Sequence, residues 1–164
     1  MIQKKVCMIG AFSVGKTSLV RRFVSGIFSD KYLTTVGVKI DRRVVDVDGE
    51  DVTLMVWDLA GEDLMQTLNM SHVRGSSGYV LVADGTRPQT LDKAREFQAR
   101  IAELLGDVPF VLAVNKHDLV DEWAMTDDML KPYQEQWDVV KSSAKTGEGV
   151  GEFFDLLARR MTTA

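Results

Sequence analysis

The chain has 164 residues, 45% hydrophobic and 27% charged, which is enough to bury one core and ordinary for a soluble globular protein. Its formal net charge of -4 gives no general affinity for nucleic acid or anionic lipid, so any bound polyanion must be held at a local site. The single cysteine, Cys7, offers no disulfide framework, and the polar start Met1-Ile2-Gln3-Lys4-Lys5 has no apolar signal segment, which together predict a reducing, cytoplasmic setting.

Lys5 to Ile9 reads as a buried strand running into Gly10-Ala11-Phe12-Ser13-Val14-Gly15-Lys16-Thr17, a G-x-x-x-x-G-K-[ST] phosphate-binding pattern. The two glycines let backbone N–H groups turn inward around a polyphosphate, Lys16 can span its outer phosphates, and the Thr17 hydroxyl suits Mg²⁺. Ser13, Val14, Gly15, Lys16, Thr17 and Ser18 are therefore candidate phosphate-binding residues, at the start of an amphipathic helix over Ser18 to Val24. Residues 27–37 are polar and threonine-rich without a period, and predict a long loop placed to lay a hydroxyl or an aromatic ring over a nucleotide. Val38 to Val47 alternates as a half-exposed edge strand, Asp48-Gly49 signals a tight hairpin turn, and Val52 to Trp57 returns antiparallel. The strand ends in Asp58-Leu59-Ala60-Gly61-Glu62. Asp58 can hold Mg²⁺ or its water, although an aspartate there equally serves as a cap or turn former, and Gly61 can present its N–H to a terminal phosphate. A short helix is expected at about 65–74.

The second half is regular. Gly78 to Asp84 is a near-continuous apolar run, Thr90 is expected to cap a helix reaching about Leu105, and Pro109 to Val114 is another buried strand. Asn115-Lys116-His117-Asp118 follows. A carboxylate such as Asp118 can accept from N1–H and the exocyclic amine of guanine, whereas adenine offers no such pair of donors and leaves it unpaired. Asn115 can brace this loop and the Lys116 stem can cover the base, while His117 is assigned no ligand role. Thr126-Asp127-Asp128 starts a helix that Pro132 is expected to limit, and Trp123 and Trp137 read as packing residues. A last strand over Trp137 to Lys141 leads to Ser142-Ser143-Ala144-Lys145-Thr146-Gly147, where the Ala144 N–H can reach a base oxygen, and Gly149 to Met161 closes as an amphipathic helix. Strands alternating with helices predict an α/β fold: one domain over residues 1–164 with a doubly wound, mostly parallel sheet, one antiparallel edge strand and helices on both faces. Its site lies at the carboxyl ends of the strands.

The phosphate loop, Thr35-Val36-Gly37, Asp58-Leu59-Ala60-Gly61, Asn115-Lys116-His117-Asp118 and Ser143-Ala144-Lys145 together resemble the Ras-like small GTPases, most of all the Rab branch, over essentially the whole chain. The resemblance implies a P-loop GTPase fold in which Thr35 and Thr17 ligate Mg²⁺, Asp58 holds a metal-bound water and Gly61 contacts the γ-phosphate. It further implies that Phe28 supports the base and that Ser143, Ala144 and Lys145 complete the guanine pocket. Two positions depart from the family: Glu62 stands where a glutamine usually orients the attacking water, and Phe12 stands where a small residue is usual. No prenylatable cysteine is seen, so membrane attachment is expected only through a partner or a missing tail.

The resulting expectation is a monomeric GTP/GDP switch that uses Mg²⁺ and hydrolyses GTP slowly, with Lys16, Gly61 and Glu62 at the reaction. It would meet effectors, an exchange factor and an activating protein through residues 28–40 and 60–77, with no nucleic-acid partner and no transmembrane segment. The alternatives are a guanine-nucleotide-binding module that does not turn over, and a small-molecule kinase using the same loop on ATP.

Overall fold

The computed structural model describes residues 2–25, 39–59 and 70–163. A six-stranded sheet has the order β2-β3-β1-β4-β5-β6, with β1 Ile2–Gly10, β2 Lys39–Val47, β3 Glu50–Asp58, β4 Gly78–Asp84, β5 Phe110–Asn115 and β6 Val139–Lys141. Only β2 with β3 is antiparallel; β1 runs parallel to β3 and β4, β4 to β5, and β5 to β6. The β2–β3 turn has positive φ at both Asp48 (53°) and Gly49 (87°), the backbone that a two-residue hairpin requires.

Among the described residues five α-helices accompany the sheet: α1 Lys16–Ser25, α2 Met70–Val73, α3 Gln89–Leu105, α4 Asp127–Gln136 and α5 Val150–Thr162. Strand periodicity divides the side chains between two cores. Val6 and Met8, Val80 and Val82, and Val111 and Ala113 join one core with α1 and α5; their neighbours Cys7 and Ile9, Tyr79 and Leu81, and Leu112 and Val114 join the other with α3 and α4. Apolar residues on both faces explain why β4 carries no polar residue before Asp84. On α5 the buried set Val150, Phe153, Phe154, Leu157, Ala158 and Met161 follows helical spacing, and Phe154 stacks on Phe23 of α1 with ring centroids 3.8 Å apart.

Two helix boundaries differ from the expectation. Thr90 does not cap α3, because Pro88 at φ -55° already begins the helical turn and the Thr90 hydroxyl faces back onto the backbone N–H of Asp84 at 2.8 Å. Pro132 does not end α4, which continues to Gln136 after a Thr126 cap. Residue 132 is exposed, so water can serve the carbonyl that proline leaves without a donor.

The parallel order sets Asp58, Gly10, Asp84 and Asn115 at the carboxyl ends of adjacent strands, which is where the site assembles. The Phe23–Phe154 stack holds α1 and α5 together behind it. Phe154→Ala is expected to lower stability by about 3–5 kcal/mol in urea unfolding; a loss under about 1 kcal/mol would show that this contact is not central to the core.

Candidate functional site

The phosphate-binding pattern forms the turn between β1 and α1. Its glycines act differently from one another. Gly10 is needed for space, because a Cβ there would lie 2.5 Å from the Val82 carbonyl oxygen; Gly15 is needed for both conformation and space, with φ 102° and a Cβ position 2.3 Å from Asn115 Nδ2. Ser13 supplies the other left-handed residue of the loop at φ 61°. Lys16 is only 3% exposed and its ammonium donates to the carbonyl oxygens of Gly10 (2.9 Å) and Ala11 (3.0 Å). The Thr17 hydroxyl donates to Asp58 Oδ2 at 2.6 Å, and Asp58 is fully buried.

Across the strand ends, Asn115 Nδ2 donates to the Val14 carbonyl (3.0 Å) while its Oδ1 accepts from Ser142 Oγ (3.2 Å). Lys116, at φ 71°, donates to the Ser13 carbonyl at 2.9 Å and pairs with Asp84 Oδ2 at 3.0 Å. Asp118 Oδ1 accepts from Ser143 Oγ at 2.7 Å, and Ser143 Oγ in turn accepts the Thr146 N–H. Between these loops lies a cavity of about 520 Å³, of a size for one small ligand, running from Gly15 and Ser18 to Asn115, Asp118, Ala144 and Lys145. Arg21, Arg22, Lys116 and Lys145 line it beside one carboxylate, a balance that favours an anion. His117 is turned to Glu148, with Nδ1 2.9 Å from the carboxylate, and sets its ring edge-on to Trp123.

The structure thus brings Ser13, Val14, Gly15, Lys16, Thr17, Ser18 and Asp58 together with Asn115, Lys116, Asp118, Ser143, Ala144 and Lys145. Phe28, Thr35, Gly61 and Glu62 lie outside the described residues. The sequence reading missed Asp84, Arg87, Ser142, Arg21 and Arg22. Asp84 was findable, because it is a polar residue ending an all-apolar strand, the same signal that singled out Asp58 and Asn115.

Asp84 is 1% exposed, and all four lone-pair directions of its carboxylate are used. Oδ1 accepts from the Thr86 N–H (2.8 Å) and Thr86 Oγ1 (2.7 Å), and Oδ2 faces Arg87 Nε and Lys116 Nζ at 3.0 Å each. Burial by itself would raise its pKa, but the hydrogen bonds from Thr86, Lys116 and Arg87 outweigh it and hold the group below the ordinary aspartate value of 3.8.

A strand, a glycine-framed turn and a helix, with a carboxylate braced on the wall of the adjoining cavity, constrain the family, and similarity to known proteins settles it. The Ras family matches residues 5–163. The chain belongs to the Ras family. Among its curated relatives, Ras-related protein Rab-4 of Dictyostelium discoideum is 35% identical over 97% of this chain and 79% of its own length. Ras-related protein Rab-1D of the same organism is 30% identical over 94% and 78%, and Ras-related protein SEC4 of Saccharomyces cerevisiae (strain ATCC 204508 / S288c) is 30% identical over 94% and 73%. These relatives place the chain on the Rab branch, as a small GTPase that binds GTP and GDP with Mg²⁺ and acts as a nucleotide-dependent switch. Membership sets aside the ATP-dependent kinase. The donor set fits the metal: a hydroxyl and a buried carboxylate are hard oxygen ligands, and among the described residues no group of three His, Cys, Asp or Glu forms a metal cage. Mg²⁺ generally keeps several waters and takes one or two protein oxygens alongside phosphate, so it would need no more than Thr17 and Asp58 offer here.

Removing one partner of a buried charge cluster is strongly destabilising, so Asp84→Asn is expected to cost about 3 kcal/mol at neutral pH. Because the folded pKa is depressed, this stabilisation is full above 3.8 and fades as pH falls through the lower folded value. Urea unfolding should show a constant gap to wild type from about pH 8 to about pH 5 that narrows in more acidic solution; a gap that stays level into acid would remove the charge from the account.

Proposed function

We propose that residues 1–164 form one GTP-binding domain in which Ser13 to Ser18 cradle the phosphates and Asn115, Lys116, Asp118, Ser143, Ala144 and Lys145 hold guanine. Thr17, Thr35 and Asp58 would hold Mg²⁺, directly or through a bound water, and its charge would help neutralise the phosphates. Lys16 moves its ammonium from the Gly10 and Ala11 carbonyls toward those phosphates. Phe28 supports the base. Lys16, Gly61 and Glu62 serve the hydrolytic step, and residues 28–40 and 60–77 carry the nucleotide state to effectors, an exchange factor and an activating protein. The chain works as a monomer in the cytoplasm, or at a membrane surface through a partner or a lipid-bearing tail; no described helix is long and apolar enough to cross a membrane.

The observation that carries this reading is Asp118 held at 2.7 Å by Ser143 on the wall of a cavity that begins at Gly15. One hydrogen bond from Ser143 to Oδ1 orients the carboxylate, and each oxygen keeps acceptor capacity for one of the two donors of guanine. GTP should therefore displace a fluorescent guanine nucleotide far better than ATP does, and Asp118→Ala should erase about 1.5–3 kcal/mol of that preference. Equal competition by ATP and GTP in the wild type would overturn the assignment.

Hydrolysis follows from two residues. An ionised Glu62 can accept a hydrogen bond from the attacking water, but it adds negative charge beside an anionic γ-phosphate and cannot donate to it. Turnover is expected to be slow but present, about 10⁻⁴ to 10⁻³ s⁻¹ without an activator. The Phe12 side chain is 55% exposed, and in this reading it would fill the approach that an arginine finger needs. In single-turnover GTP hydrolysis Glu62→Ala should react about tenfold more slowly, equivalent to about 1.4 kcal/mol of barrier. A rate within about twofold of wild type would take Glu62 out of the mechanism.

A further inference from the structure

Arg87 lies in the turn between β4 and α3, where nothing in the phosphate or base chemistry requires a cation. Its guanidinium is nonetheless engaged at both ends. Nε pairs with Asp84 Oδ2 at 3.0 Å, and Nη2 donates to the Phe12 carbonyl at 2.6 Å, a contact across 75 positions of sequence. Lys116 repeats the arrangement, with one bond to the same Asp84 oxygen and one to the Ser13 carbonyl. Two consecutive carbonyls of the phosphate loop are therefore held by two cations that share one buried carboxylate.

Neither cation alone does what the pair does. Each peptide plane of this loop has its N–H on the side opposite its carbonyl, so fixing the carbonyls of residues 12 and 13 fixes the aim of the N–H groups of Ser13 and Val14. The carboxylate offsets the repulsion between the two cations, which would otherwise drive them apart. The Arg87 side chain is 34% exposed, so solvent weakens its contacts without removing them.

We propose that Arg87 is a positioning residue that, through Asp84, latches the phosphate loop at Phe12 and thereby sets how long guanine nucleotide stays bound. This rests on the assignment of residues 13–18 as the phosphate cradle. The latch needs the planar fork of arginine, because one nitrogen must reach Asp84 while another reaches Phe12. A lysine there keeps the charge beside Asp84 but gives up the span.

The test is the release of N-methylanthraniloyl-GDP into excess GDP with Mg²⁺ present, followed by fluorescence, together with the ¹⁵N shift of the Ser13 amide, which reports on the hydrogen bond to the Phe12 carbonyl. Arg87→Ala is expected to release nucleotide about tenfold faster and to move the Ser13 resonance. Arg87→Lys, which preserves the ion pair and protects the fold should the alanine variant not fold, is expected to release within about threefold of the alanine rate. Release from either variant within about twofold of wild type would overturn the latch. A wild-type protein that retains no N-methylanthraniloyl-GDP at all would instead overturn the nucleotide reading on which the latch rests.

Discussion

The site depends first on the carboxamide of Asn115. It is 2% exposed, donates to the Val14 carbonyl and accepts from the Ser142 hydroxyl, so one planar group ties the phosphate loop to two loops more than a hundred residues away in the chain. A buried amide with unfilled hydrogen-bond capacity would cost about 1–3 kcal/mol per lost partner, which is why its neighbours are as specific as it is. Gly15 has no room for a Cβ because Asn115 Nδ2 stands in that place, and Ser142 is fully buried because its hydroxyl is the other half of the bond. Sheet order does the rest, setting β5 within reach of the β1 turn with β4 between them.

Around that joint the polar groups fall into two electrically different ends. On the phosphate side, Lys16 rests on loop carbonyls and Thr17 on Asp58, a cation and a hydroxyl held where an anion and its counterion would meet them. At the end proposed to take the base, Asp118 is the one carboxylate beside several cations among the described residues lining the cavity, and it accepts from the neutral Ser143 hydroxyl. A carboxylate held by a neutral donor keeps its appetite for further donors, while one already neutralised by arginine does not; Asp84, with both oxygens saturated, is the contrasting case in the same molecule. In the proposed site, recognition and bracing would thus be separated between two aspartates whose sequence settings look alike.

The elements that sequence reading recovers are those whose physics is local. The positions of the β2–β3 turn, the buried stripe of α5 and the alternation of strands and helices each follow from neighbours within one or two turns of chain, and they lie where their patterns put them. What escaped it depends on distant partners. Thr90 looks like a cap until the Asp84 backbone claims its hydroxyl, and Pro132 looks like a stop until its exposure is known. Arg87 is an ordinary charged residue in a turn until β4 pairs with β1 and brings it to Phe12. The motif residues were legible as chemistry, but the reason Gly15 must be glycine was not, since its obstacle is Asn115.

If the proposed site is right, this loop, cavity and carboxylate together form a guanine-nucleotide site that needs Mg²⁺. The most direct test is mass analysis of what the chain carries through purification in Mg²⁺, after release by denaturation. Close to one GDP or GTP per protein molecule is expected, stripped when the metal is chelated and recovered when Mg²⁺ and guanine nucleotide are returned. Protein that carries no nucleotide and takes up none in Mg²⁺, or that carries an adenine nucleotide, would contradict it.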